Sequence, residues 1–281
     1  MTVQEAFDQL TKLLLPPYGA EEARSIARIA LEDGFGWKQP YGSLKLDEKQ
    51  IERLFAMATR LQAHEPVQYV VGKAFFYGYP FRVTPATLIP RPETEELVHW
   101  ILEDRQESAL RVLDVGTGTG CIPIVLQLKN PSWKVVAIDL SEAALEVAAE
   151  NAAKLGAGVD FRQVDFLTEA EWGRLGRFDL LVSNPPYIPQ KESAMMEANV
   201  LQYEPHLALF VSDDDPLLFY RKIRDFAQVQ LESGGSIYLE VNEFNAKQVM
   251  GLFAGPRWKE AVLKRDIQGK DRMLKAICHH S

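Results

Sequence analysis

Cysteine is scarce in this sequence. Only Cys121 and Cys278 occur among 281 residues, too few for a disulfide framework and without the paired spacing of a zinc site. Two reduced thiols in a cytosolic protein are expected. No apolar run reaches the roughly 18 residues needed to cross a bilayer. A secretory leader is missing as well, because Glu5 and Asp8 occupy the place of its basic region and Leu13-Leu14-Leu15 stops at Pro16-Pro17. A cytoplasmic chain without a membrane partner follows as the expectation. Basic excess is also lacking: 31 Lys and Arg against 39 Asp and Glu leave a net charge of −8. That balance argues against general affinity for phosphate backbones or anionic lipid, although a local basic patch would escape the count.

What is present is an ordinary globular composition, 47% hydrophobic and 25% charged, which excludes a disordered or collagen-like chain. The length suggests about two domains. Residues 1–72 carry three amphipathic helical stripes. The first is Val3, Ala6, Phe7, Leu10 and Leu14; the second is Ala23, Ile26, Ala27, Ala30 and Leu31; the third is Ile51, Leu54, Phe55, Ala58 and Leu61. Thr2 with Glu5, and Asp47 with Gln50, have the form of capping boxes. Three such stripes need a common partner surface, so a small helical bundle is predicted. Residues 73–90 contain two-residue alternation rich in aromatics (Phe75, Tyr77, Tyr79, Phe81), with Gly78 and Pro80 as turn residues. They read as a β-hairpin linker. Residues 91–281 form the third part, in which Pro92 opens a helix and strands then alternate with helices, the pattern of an α/β fold with a mostly parallel sheet. Strands are predicted at 111–115, 134–139, 159–164, 178–183 and 236–241, with weaker ones at 261–264 and 273–277.

The first of these strands runs through Val112-Leu113-Asp114-Val115 into Gly116-Thr117-Gly118-Thr119-Gly120. Glycine lets a loop take positive φ and lets a ligand approach without a Cβ in the way. Asp139 ends the next strand, at the spacing of a carboxylate that accepts from both hydroxyls of a ribose. Strand, glycine loop, helix, strand and terminal acid in that order indicate a cofactor containing a nucleoside. The third glycine comes one residue too early for a pyrophosphate loop. Asp114 would repel a pyrophosphate but could face a cation such as the ammonium of a methionine moiety. The Asp-x-Gly-x-Gly-x-Gly form resembles the first motif of Rossmann-like methyltransferases, which implies S-adenosylmethionine, with S-adenosylhomocysteine as product. Asp165 and Phe166, after the third strand, are candidates for the adenine amine and ring. Cys121, at the helix start, reads as a small buried residue without a role.

Asn184-Pro185-Pro186-Tyr187 follows the fourth strand. Two prolines lock φ and remove two backbone donors, giving a rigid loop that offers the Asn184 side-chain carbonyl and the Pro185 main-chain carbonyl as acceptors. Two fixed acceptors and a flat ring suit an NH2 group on an sp2 carbon. Holding both protons favours the nitrogen as it becomes tetrahedral and positive during attack. Asn184 and Tyr187 are the candidate catalytic residues, and Asn184, Pro185, Pro186 and Tyr187 the candidate substrate contacts. The chemistry calls for neither a metal nor a covalent intermediate, and no dedicated base stands out. It suits equally the amide of glutamine and the exocyclic amine of a nucleic-acid base, on which Tyr187 could stack. A ligand-binding protein without turnover would not need such acceptors.

Taken with Glu65-Pro66-Val67-Gln68-Tyr69-Val70-Val71-Gly72, with Pro85-Ala86-Thr87-Leu88-Ile89-Pro90-Arg91-Pro92-Glu93-Thr94-Glu95 and with the closing Lys264–Arg272 segment, these motifs resemble the peptide chain release factor glutamine methyltransferases along nearly the whole chain. The resemblance implies a Rossmann-like class I methyltransferase domain and methylation of the glutamine amide in the Gly-Gly-Gln motif of release factors. It implies cofactor contacts at Gly116, Thr117, Gly118, Thr119, Gly120, Asp139, Phe166 and Asn184. It also implies that the helical N-terminal domain helps to hold the release factor. Phe166 departs from those family members that carry Trp there. A monomer with no direct nucleic-acid partner is expected.

Overall fold

The computed structural model describes residues 1–279. The chain divides into two compact units. The first consists of Met1–Ala74, Val83–Pro85 and Glu197–Tyr203. It contains α1 (Val3–Phe35), α2 (Glu48–Gln62), α3 (Val67–Val71) and the short α7 (Ala198–Tyr203). Both capping boxes form: Glu5 N donates to Thr2 Oγ1 at 3.2 Å, and Gln50 N to Asp47 Oδ1 at 2.8 Å. Pro16-Pro17 lies inside α1, and the break comes at Gly19 (φ 75°, ψ 178°). A proline deprives the carbonyl four residues earlier of its donor. For Pro17 that carbonyl is Leu13 O, which instead accepts from Gln62 Nε2 of α2 at 3.1 Å. The core is built from Leu10, Leu14, Ala27, Leu31, Leu54 and Leu61. The third stripe is corrected at one position. Phe55 is 40% exposed, and Met57 (4%) takes the buried place, because Leu54, Met57, Ala58 and Leu61 form the inward face.

The second unit consists of Phe75–Arg82, Ala86–Met196 and Glu204 onwards. The aromatic alternation forms the hairpin β1 (Lys73–Phe76) and β2 (Tyr79–Arg82), and α4 (Pro92–Asp104) follows with proline in its first turn. Next come β3 (Arg111–Val115), α5 (Cys121–Lys129), β4 (Lys134–Asp139), α6 (Glu142–Leu155), β5 (Val159–Gln163) and β6 (Phe178–Ser183). Two-residue strands β7 (Ile188–Pro189) and β8 (Phe210–Val211) pair beside α8 (His206–Leu209). The chain closes with α9 (Leu218–Gln230), β9 (Leu231–Glu240), α10 (Ala246–Leu252), β10 (Trp258–Arg265) and β11 (Asp271–Cys278). The seven-stranded sheet has the order β10-β11-β9-β6-β3-β4-β5. Its pairs are parallel except β10 with β11 and β11 with β9. Among the described residues, no helix is long and apolar enough to cross a membrane.

Side chains of a strand alternate between faces, and both faces of this sheet are covered. Val112, Leu180, Val182 and Tyr238 meet α4 and α5, whereas Leu113, Leu181, Ile237 and Leu239 meet α9 and α10. This alternation also sets which polar residues at the strand ends can meet. Asp114, Asn184 and Glu240 continue the first of these faces, toward α4 and α5.

Strand β9 begins at Leu231, five residues before the expected start, by way of a bulge in its pairing with β6. At Gly235 an added Cβ would lie 2.7 Å from Leu231 Cγ, 2.8 Å from Glu232 O and 3.0 Å from Asp179 O. Backbone carbonyls cannot swing away. Gly235→Ala should therefore lower stability by about 1–3 kcal/mol, read from the urea midpoint. An unchanged midpoint would show that the bulge yields freely.

Candidate active site

One cavity opens at the carboxyl ends of the parallel strands, where ligands of open α/β sheets bind. Its wall contains Gly116–Thr119, Ile138–Ser141, Val164–Leu167 and Ser183–Pro186, with Ala86–Arg91 and Thr94 from the segment ahead of α4. The glycine loop is pinned to β4, since the amides of Gly116 and Thr117 both donate to Ile138 O at 2.9 and 3.0 Å. Gly120 has φ 77°, and a Cβ there would approach Ala148 Cβ and Ile124 Cδ1 to 3.0 Å. Glycine is required at this position, where α5 and α6 converge.

Asp139 takes the place expected of it. Its Oδ2 accepts from Gly118 N and its Oδ1 from Ser141 N, both at 2.9 Å. The carboxylate is thus anchored from the protein side while it lines the cavity, and burial raises its pKa. Asp165 also lines the cavity, but both oxygens serve the turn that follows. Oδ1 accepts from Leu167 N at 3.0 Å and Oδ2 from the Thr168 hydroxyl at 2.9 Å. Phe166 is buried, its ring packed against Trp172 and Phe226 at centroid distances of 5.7 and 5.4 Å, so it serves core and wall together.

Asp114 is completely buried one residue before the lining, and neither carboxylate oxygen has a hydrogen-bond partner among the described residues. The Thr117 hydroxyl beside it is also buried. Burial, partly offset by the Thr117 hydroxyl and reinforced by the charge of Asp139, pushes Asp114 up to about 7. Cys121, at the start of α5, is buried and its thiol is raised to about 12, so it is an inert core residue.

The Asn-Pro-Pro-Tyr corner divides into two parts. Asn184, Pro185 and Pro186 line the cavity, but Tyr187 does not. Its ring packs on the core, and its hydroxyl donates to Glu240 Oε1 at 3.0 Å. Burial, with the adjacent Glu240, holds this phenol well above its usual pKa, so it remains a proton donor. Asn184 Nδ2 donates to Thr94 Oγ1 at 3.2 Å, and Thr94 in turn donates to Glu240 Oε2 at 2.6 Å.

Sequence reasoning assigned no role to Thr94 or Glu240, nor to the ion pair of Arg91 with the buried Glu204 (2.6 Å), which also accepts from Ile89 N at 3.3 Å. A signal existed for two of them. Glu240 is an acid at the end of an apolar strand, and Thr94 lies in the distinctive Pro-Arg-Pro-Glu-Thr segment.

Fold and cavity together define a Rossmann-like class I methyltransferase, and comparisons with known proteins agree. A family model described as a methyltransferase domain matches residues 106–249, and one described as the PrmC N-terminal domain matches 5–72. The catalytic domain of hMettl16, solved with the MAT2A 3′UTR hairpin 6, shares the fold at a TM-score of 0.54 and 15% identity, covering 86% of each chain. A methyltransferase from Pyrococcus furiosus does so at 0.51 and 15%, covering 83% of this chain and 100% of that one. The release factor glutamine methyltransferase of Flavobacterium psychrophilum is 43% identical over 83% of this chain and 82% of its own. That of Bacteroides thetaiotaomicron is 46% identical over 77% of each, and that of Koribacter versatilis 35% over 98% of each. The chain belongs to the release factor glutamine methyltransferase family.

The buried carboxyl gives the site a pH signature. Held near 7 in the folded chain and about 3.9 in the unfolded one, Asp114 adds stability at low pH that is lost as pH rises between those values. Relative to Asp114→Asn, the ligand-free protein should therefore lose roughly 3–4 kcal/mol between about pH 4 and 7. Parallel urea titrations of the two proteins measure this. Equal pH dependence would mean that Asp114 is solvated.

Proposed function

We propose that this chain transfers the methyl group of S-adenosylmethionine to the side-chain amide nitrogen of glutamine in the Gly-Gly-Gln motif of peptide chain release factors. The observation that carries the proposal is the acceptor corner at Asn184 and Pro185, fixed on the wall of the cavity that also contains the glycine loop. The substrate named for its relatives, a release factor glutamine, presents the planar NH2 that such a corner fits.

Gly116–Gly120, Asp139, Asp165 and Phe166 would hold the cofactor, with Asn184 at its edge. The unpartnered Asp114 carboxylate fits an ammonium group nearby, because a buried charge is stable only when paired. When bound, S-adenosylmethionine supplies a methyl carbon activated by a sulfonium. The chain's own contribution is orientation and electrostatics. Asn184 Oδ1 and the Pro185 carbonyl accept the two protons of the glutamine amide, which directs the nitrogen's remaining valence and stabilises the positive charge it acquires. Its extra proton then passes to water. Tyr187 is no base, because its raised pKa keeps it protonated. In this reading Tyr187 acts by anchoring the corner to Glu240. The helical unit would contribute to holding the release factor, and the reaction needs one copy of the chain and no membrane.

The same corner would accept a base amine, but the net charge of −8 does not favour nucleic acid. An assay with radiolabelled S-adenosylmethionine, a release factor and a nucleic-acid duplex separates the two. Label should enter the release factor, and label in the duplex would overturn the proposal. Asn184→Ala should lower methyl transfer by about 100- to 1,000-fold while cofactor affinity stays within about tenfold. Wild-type turnover in that variant would refute the role of Asn184.

A further inference from the structure

An asparagine side chain can present either its oxygen or its NH2 to a ligand, and nothing in the Asn-Pro-Pro-Tyr motif decides which. Oxygen must face the substrate if the corner is to accept protons from a planar NH2. Turned the other way, the Asn184 amide would place donors against donors.

The decision lies outside the motif. Glu240 is fully buried at the end of β9; burial raises its pKa, while the bonded Thr94 and Tyr187 hydroxyls and the charge of Arg272 favour the ionised form, and an ionised carboxylate can only accept. Its two oxygens receive one hydroxyl each, Thr94 at 2.6 Å on Oε2 and Tyr187 at 3.0 Å on Oε1. The first distance lies in the range of about 2.5–2.7 Å that marks a hydroxyl bonded to a charged oxygen. Thr94 has a single proton, and Glu240 takes it, so toward Asn184 the hydroxyl oxygen can only accept. The group 3.2 Å away must therefore be the Asn184 NH2.

We infer that Thr94 and Glu240 are positioning residues that fix the polarity of the Asn184 amide, turning its Oδ1 toward the substrate nitrogen. This deepens the proposed glutamine methylation and rests on that reading. The Tyr187 arm of Glu240 fixes the far end of the same loop. One buried carboxylate thus sets both the position of the corner and the direction of its hydrogen bonds.

Steady-state kinetics on the intact protein with a release factor test this. Thr94→Val keeps the shape and removes the relay, and Glu240→Gln offers Thr94 a donor and so permits the reversed chain. Each should lower kcat by about 10- to 100-fold, as expected for misdirecting one transition-state acceptor. The KM for S-adenosylmethionine should stay within about threefold and the melting temperature close to wild type. Thr94→Ser restores the hydroxyl and should recover kcat to within about threefold. In the double variant Thr94→Val with Glu240→Gln, the losses should not multiply, because both break one chain. A folded Thr94→Val protein with wild-type kcat, a serine variant that fails to recover, or losses that multiply would each overturn the inference. If Thr94→Val does not fold, Glu240→Gln and Thr94→Ser decide alone, by their opposite effects on kcat. Failure of the wild-type protein to methylate any release factor would instead refute the functional reading.

Discussion

A buried carboxylate with two hydroxyls bound to it organises the proposed reactive corner of this protein. Glu240 lies within the sheet, where an unpaired charge would be very costly, and its partners come from distant parts of the chain. Thr94 belongs to the first turn of the helix before the sheet, and Tyr187 to the loop after β6. Satisfying one group therefore fastens the segment ahead of the sheet, the acceptor loop and the last parallel strand to one another. The proline pair makes the loop stiff, but stiffness alone gives no direction. Direction comes from the sequence of donors and acceptors that ends on Asn184.

The neighbouring strands β3 and β4 follow another logic. There the protein leaves a carboxylate unsatisfied instead of binding it. Asp139 is held by two backbone amides, whereas Asp114, two strands closer to the centre than the sheet edge, has no partner among the described residues. A group kept in that condition raises the energy of the empty site, and a cation brought beside it lowers that energy again. In the proposed reading, the fold pairs a rigid acceptor corner for the methyl-receiving nitrogen with a buried, unpaired carboxyl for the positively charged part of the cofactor. Three glycines at positive φ, at 116, 118 and 120, bring the backbone between them.

Much of this was legible in the sequence. Strands 111–115, 134–139 and 178–183 fall where the apolar runs and their flanking glycines and prolines put them, because they are buried on both faces and short. The places of the glycine loop after β3, of Asp139 at the end of β4 and of Asn184 after β6 could be read because each follows from a local pattern. Thr94 and Glu240 could not, since their role exists only once strand order places β9 and the start of α4 beside the loop after β6. Tyr187 was read as a flat ring beside the two acceptors, whereas the partner of its hydroxyl, Glu240, comes from a distant strand that the loop's own pattern does not announce. The helix continues through Pro16-Pro17 on a similar non-local contact: Gln62, from another helix, supplies the donor that Pro17 lacks.

Where the methyl group ends up tests the central claim most directly. A release factor incubated with this protein and methyl-deuterated S-adenosylmethionine can be digested and sequenced by tandem mass spectrometry, beside a release factor whose target glutamine is replaced by glutamate. The account predicts deuterium on one glutamine side-chain nitrogen and none in the glutamate version. Label on another residue type, or label that persists when the NH2 is gone, would contradict it.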